Sequence, residues 1–211
     1  MALFLVTRAY TNEEKQHALA RARSGATPDR DYYLLVAGAV VFALCGIFLD
    51  SIPVLIGAMI VAPLAGPILG LSLGLARGEW MLAARSLAML VASLVIAFII
   101  SWIGVSLVGP LRADPTFITF IAHPLFDILV AFVAGIIAAY GLMRERVGSA
   151  MVGVGVAISL MPPLVATAVA LADGLVPGAE QAFLIFALNV LGIIAGSALI
   201  FITFGLNRFK I

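Results

Sequence analysis

The sequence predicts an all-α fold, a polytopic bundle of about six transmembrane helices. Three observations predict it. Of 211 residues, 64% are hydrophobic and only 11% are charged, whereas a soluble domain carries roughly 25% charged residues. The mean hydropathy is +1.20. Long apolar runs recur between short polar breaks, and a helix needs about 20 apolar residues to cross a bilayer in which it must satisfy its own backbone.

The elements follow in order. Residues 7–31 are the only extended polar stretch. Thr11 and Glu14 have capping-box spacing, so a short helix is expected from there to about Arg23, solvated or lying on the membrane surface. Ser24 to Pro28 breaks it. Residues Leu3–Val6 are apolar, but they are too few for a signal-peptide core and lack a basic lead; a short strand or an interfacial contact remain open for them. Six apolar segments are expected near 32–49, 52–76, 80–108, 125–143, 149–172 and 181–205, with a tail at 206–211. The breaks are Asp50-Ser51, Arg77 to Glu79, Arg112 to Pro115, Arg144 to Arg146 and Asp173 to Gln181.

Lysine and arginine set the orientation. With the N-terminus inside, the inner side holds Arg8, Lys15, Arg21, Arg23, Arg30, Arg77, Arg85, Arg144, Arg146, Arg208 and Lys210, and the outer side holds Arg112 alone. That is 11 of the 12 basic residues. Both termini are therefore expected in the cytoplasm, which requires an even number of crossings.

The two halves resemble each other at a shift of 96 residues: Asp31 falls on Asp127, Gly57 on Gly153, Leu64 on Leu160, Pro67 on Pro163 and Gly78 on Gly174. Three helices per half would reverse the second half across the membrane, giving an inverted repeat of 32–109 and 125–205. Pro63, Gly66 and Pro67 interrupt the second segment, and Pro162 and Pro163 the fifth, at comparable depth. Proline removes a backbone donor and clashes with a preceding carbonyl. Helices broken at matching places in two halves mark a transporter's binding region, where freed carbonyls or half-helix termini meet an ion or small solute. A plain kink, re-satisfied by neighbouring helices, is the competing reading.

Other polar residues cluster at related depths. Asn189 is the most deeply placed strongly polar side chain and matches Ser93 under the shift. Both are expected near the two breaks, as solute contacts or as hydrogen-bonding glue between helices. Ser159 and Thr167 flank Pro162 and could back-bond to their own helix. Asp31 and Asp127 lie in first turns, where a carboxylate suits the helix dipole. Asp50 with Ser51 is expected to cap the second segment. His123 and Asp127 are four apart, but two ligands make no metal site. Gly66, Gly70, Gly74 and Gly78 form a stripe at intervals of four, which lets helix backbones approach, within one chain or between chains.

Several classes are excluded. No basic stripe for nucleic acid is present. No nucleophile elbow, phosphate loop, zinc-protease or dinucleotide signature occurs. The lone Cys45 allows no intrachain disulfide. No cofactor is expected, and no converging acid–base set for an enzyme.

At Ile56-Gly-Ala-Met-Ile-Val-Ala-Pro-Leu-Ala-Gly-Pro-Ile-Leu-Gly-Leu71, followed by Met161-Pro-Pro-Leu164 and later Asn189, the chain resembles the prokaryotic family called domain of unknown function 389, over about residues 32–205. The resemblance implies a bacterial or archaeal polytopic protein of the cytoplasmic membrane. It assigns no activity and no site. The expected function is a transporter or channel for an ion or small polar solute, in a homo-oligomer within the lipid bilayer. The alternative is a non-transporting scaffold or oligomerisation module built on the glycine stripe.

Overall fold

The computed structural model describes residues 11–109, 124–144 and 149–206, and their regular structure is helical throughout. Eight helices follow one another: α1 (Asn12–Gly25), α2 (Arg30–Phe48), α3 (Ile52–Val61), α4 (Ala65–Arg77), α5 (Trp80–Val108), α6 (Pro124–Met143), α7 (Ser149–Ala172) and α8 (Val176–Thr203). Five are long and apolar enough to cross a membrane, and the bent pair α3 and α4 makes a sixth span. The expected segments are recovered. The last begins earlier than expected, at Val176, because Pro177 sits in the first turn, where its missing N–H has no intrahelical partner to lose.

Local chemistry sets the ends. The capping box starts α1: the Glu14 amide donates to Thr11 Oγ1 at 3.2 Å, and the Thr11 amide donates back to the Glu14 carboxylate at 2.9 Å. Asp29 caps α2, accepting from the Tyr32 amide at 2.7 Å. One expected cap is corrected. Asp50 ends α2 in the left-handed region at φ 47°, and Ser51 takes the N-cap position of α3 without a side-chain hydrogen bond. The helix is started by the proline in its first turn instead.

The two helices α4 and α7 end alike. Gly78 and Gly174 adopt φ of 70° and 73°. Glu79 donates to the Gly74 carbonyl and Leu175 to the Ala170 carbonyl, each at 2.8 Å. A side chain would be strained at either glycine, and the left-handed turn satisfies carbonyls that would otherwise be stranded. All three residue pairs of this motif are related by the 96-residue shift.

Contacts order the spans. Tyr32 meets Ser93, while Leu44 and Phe48 meet Gly104, so α2 and α5 run parallel and the bent pair must return between them. Gly192 lies against Ala131 and Gly196 against Phe132 and Ile136, so α6 and α8 also run parallel, with α7 returning. Across the halves, α4 packs on α8, α5 on α7, and α3 on α7. Helix α4 lies at the centre, with every residue from Pro67 to Gly74 buried. At one end of the bundle Lys15 lies beside Gly205, Arg23 binds Glu79, Arg77 donates to the Leu206 carbonyl, and Arg144 stacks over Tyr140. The outer flanks are apolar; Leu107 is 81% exposed and Leu125 is 82% exposed, a surface suited to lipid and not to water.

Candidate functional site

The second span breaks at one proline, not two. Pro63 has no N–H for the Met59 carbonyl, and it forces Ala62 out of the helical region to φ −64°, ψ 120°. The chain turns by 52° over Ala62–Leu64. Pro67 then falls in the first turn of α4, where an N–H would be unpaired in any case.

The fifth span differs from expectation. Pro162 and Pro163 lie inside a continuous α7, so the predicted second interruption is absent. The reason is visible one helix away. Pro163 deprives the Ser159 carbonyl of its helical donor, and the Asn189 side chain on α8 supplies one, Nδ2 to Ser159 O at 2.8 Å. Thr167 donates back to the Pro163 carbonyl at 2.7 Å, the back-bond expected for it. Ser159 makes no such bond. With the freed carbonyl satisfied, the helix has no need to unwind, and in a bilayer unwinding would strand further backbone groups.

Asn189 and Ser159 are 4% and 6% exposed. No protein group pairs with Asn189 Oδ1 or Ser159 Oγ. A neutral acceptor left so costs about 1–3 kcal/mol when nothing fills the gap.

The first half uses its matching residue otherwise. Ser93 does not reach the Pro63 break. Its hydroxyl donates to Met89 O of its own helix at 2.9 Å and meets the Tyr32 hydroxyl at 2.7 Å. Ser93 and Asn189 therefore hold related places, but only Asn189 serves a proline-freed carbonyl.

A second polar contact, missed in the sequence, joins the halves. Ser72 of α4 and Ser197 of α8 meet at 2.8 Å, and Ser72 donates to Ile194 O at 3.2 Å. Both are fully buried. Its signal was available: Ser93 and Ser101, like Asn189 and Ser197, are eight apart, and each pair maps onto the other at 96. Ser101 is buried with no protein partner, and the counterpart of Ser72 at that shift is Ala168, which has no hydroxyl to offer.

The glycine stripe packs within the chain. A Cβ on Gly66 would collide with the Gly25 carbonyl, one on Gly70 with Ala26 and Ser86, and one on Gly74 with Ala83. Gly78 is not in the stripe's contact; it is the left-handed cap. Thus α1, polar in sequence, docks on the α4 half of the broken span, with Gly25 against Gly66 and Ala26 against Gly70, and it also packs on α6; Ala18, Leu19 and Ala22 are buried on it. Arg23 clamps both Glu79 oxygens at 3.0 Å, and Arg77 donates to the same carboxylate. Burial alone would raise the Glu79 pKa, but the hydrogen bonds and charges of Arg77 and Arg23 outweigh it and hold the carboxyl below its ordinary 4.5.

Elsewhere, an apolar groove of about 460 Å³ lies between α6 and α8, lined by Leu125, Phe132, Leu188 and Gly192 among others; it offers no polar chemistry. No group of three His, Cys, Asp or Glu side chains gathers among the described residues, and the His123 half of the His123–Asp127 pair lies outside them.

Comparison with known proteins places this architecture. Over 181 residues the chain is 29% identical to the uncharacterized protein MJ0678 of the archaeon Methanocaldococcus jannaschii, an alignment covering 86% of this chain and 56% of that one. The chain thus spans a little over half the length of that relative. No solved structure matches it. The profile of one family matches residues 59–195, well over half of the 211, and this multi-span helical chain belongs to that family, the domain of unknown function DUF389.

Proposed function

We propose that the protein is a transporter or channel for an ion or small polar solute, and not an enzyme. The observation that carries the reading is the Ser159–Asn189 contact. It holds two unengaged, fully enclosed oxygens at a proline-modified stretch of α7, in a bundle whose other central span is broken at Pro63. Neutral polar groups within membrane spans ordinarily bond across helices, as Asn189 does, and it is the oxygens left over from that bonding that support a solute path. The reciprocal cross-half packing and the shared caps at Gly78 and Gly174 support two halves related by a pseudo-two-fold axis. The scaffold alternative loses one of its two supports, because the stripe at Gly66, Gly70 and Gly74 is filled by the chain's own α1 and α5; the scarcity of buried charge still speaks for it.

The proposal places the protein in a prokaryotic cytoplasmic membrane. It keeps a homo-oligomer, resting now only on the narrowness of a six-span bundle; native mass spectrometry in detergent that reads monomer at every concentration would remove that part. The central test is flux. Purified protein in liposomes is expected to move at least one small ion or solute faster than protein-free liposomes do. A broad panel with no such difference sinks the transport reading.

A further inference from the structure

Helix α5 carries a single charge: Arg85 is the only charged residue between Trp80 and Val108. It is exposed, and among the described residues it makes no hydrogen bond or ion pair. The other basic residues of that end are engaged, Arg23 and Arg77 on Glu79, Arg144 over Tyr140, and Lys15 and Arg21 in contacts of their own. Arg30 is exposed and unengaged as well, but Asp29 and Asp31 flank it in sequence and compensate its charge. Around Arg85 the exposed surface is apolar in both directions along the helix, with Trp80 and Met81 on one side and Leu87 and Val91 on the other.

The depth of Arg85 follows from length. A helix of 29 residues is about 43 Å long, and the hydrocarbon core is about 30 Å thick, so about nine residues are surplus. If all of them lie at the Trp80 end, Arg85, the sixth residue, stands in the headgroup layer. If the surplus is shared between the ends, Arg85 lies just inside, and its long side chain snorkels back to that layer. Trp80 then takes the interfacial place that tryptophan favours. A bare guanidinium does not face hydrocarbon; it meets water or a phosphate. Charge favours the phosphate. Two arginines on one carboxylate leave the Arg23–Glu79–Arg77 cluster one positive charge in excess, and Arg85 adds another. A zwitterionic lipid would bring an ammonium group against these charges, and a net-anionic lipid does not. We infer that Arg85, beside Trp80, seats the phosphate of a net-anionic phospholipid in the leaflet at the basic end of the bundle. The planar guanidinium grips two phosphate oxygens at once, which a lysine would not do. The inference stands on the membrane-spanning fold and does not need the transport reading.

The chain supplies its own reporters. Trp80 and Trp102 are its two tryptophans, near opposite ends of α5, so each reads its own surroundings when the other is phenylalanine. The protein is placed in phosphatidylcholine liposomes with a fraction of phosphatidylglycerol or phosphatidylcholine brominated near the headgroup, and the bromines quench an adjacent tryptophan. In Trp102→Phe, phosphatidylglycerol is expected to be preferred at Trp80 by about fivefold, the effect of one basic group at an anionic surface. In Trp80→Phe, Trp102 should show no preference. Adding Arg85→Gln should remove the preference at Trp80, and Arg85→Lys should keep part of it. Neither should move the melting midpoint, because Arg85 binds no protein group among the described residues. Equal affinity of the two lipids at Trp80 needs no Arg85 variant to decide, and it overturns the inference, since Arg85 then only reaches water; an equal preference at Trp102 overturns it too. A preference unchanged in Arg85→Gln gives the lipid to the Arg23–Arg77 cluster and removes it from Arg85. A preference abolished by inorganic phosphate, but not by chloride at equal ionic strength, marks a free-anion site and overturns the lipid assignment.

Discussion

At the scale of single residues, what decides each position is which neighbour satisfies it. Four prolines were legible as helix-breaking signals, yet they act in three ways. Pro63 breaks its span, Pro67 rests harmlessly in a first turn, and Pro162 and Pro163 stay inside a continuous helix. The sequence cannot separate these outcomes, because the donor that rescues Ser159 O lies thirty residues away on α8. The glycines show the same limit. Their spacing announced a close approach, but the occupant is Gly25 and Ala26 of a polar helix, and nothing in its composition pointed inward beyond Ala18, Leu19 and Ala22. Gly66→Ala is therefore expected to destabilise the protein by about 1–3 kcal/mol, because the added methyl meets backbone that cannot step aside. Gly57→Ala, with nothing within 4 Å of its Cβ, is the matched control and should be neutral or slightly stabilising. Detergent melting curves for both check this; equal midpoints would show that the α1 contact yields easily.

At the scale of elements, helix lengths and most ends follow from apolar runs and caps, and the capping box of α1 was readable from Thr11 and Glu14 alone. The docking of α1 was not, because it depends on Arg23 meeting a carboxylate 56 residues away. That contact should respond to pH. The Glu79 carboxyl is lowered in the folded state, so the stability it contributes is fully present above its unfolded value near 4.5 and is lost as pH falls through the lower folded value. Helix α1 should thus loosen at acid pH before the spans do. Hydrogen exchange of the α1 amides checks this, and Glu79→Gln should raise their exchange severalfold at neutral pH, the effect of about 1 kcal/mol from a partly exposed ion pair. Exchange that is the same in Glu79→Gln and wild type at pH 7 would mean that the Gly25–Gly66 and Ala26–Gly70 contacts hold α1 without help.

At the scale of the whole molecule, side-chain contacts and charge address the same question independently. The contacts require the bent pair α3 and α4 to act as one returning span, and they gather α1, the ends of α4, α6 and α8, and the start of α5 at one end of the bundle. That end carries Lys15, Arg23, Arg77 and Arg144, while the opposite end carries Asp50 and Asp173. The geometry says which ends go together but not which side they face. The basic residues say which side, since 11 of the 12 fall at the first end or on segments leading from it. Both termini are accordingly predicted in the cytoplasm. A fluorescent reporter after Ile211 should light up, a phosphatase reporter at the same place should be inactive, and a phosphatase inserted at Ala113 should be active. Activity at both places would mean an even number of crossings between Ala113 and Ile211, so that one of α6, α7 and α8 does not cross, against the parallel course of α6 and α8. Activity at Ile211 alone would mean either that the whole molecule is inverted, which the basic residues oppose, or that the α3–α4 pair re-enters without crossing, which the parallel course of α2 and α5 opposes.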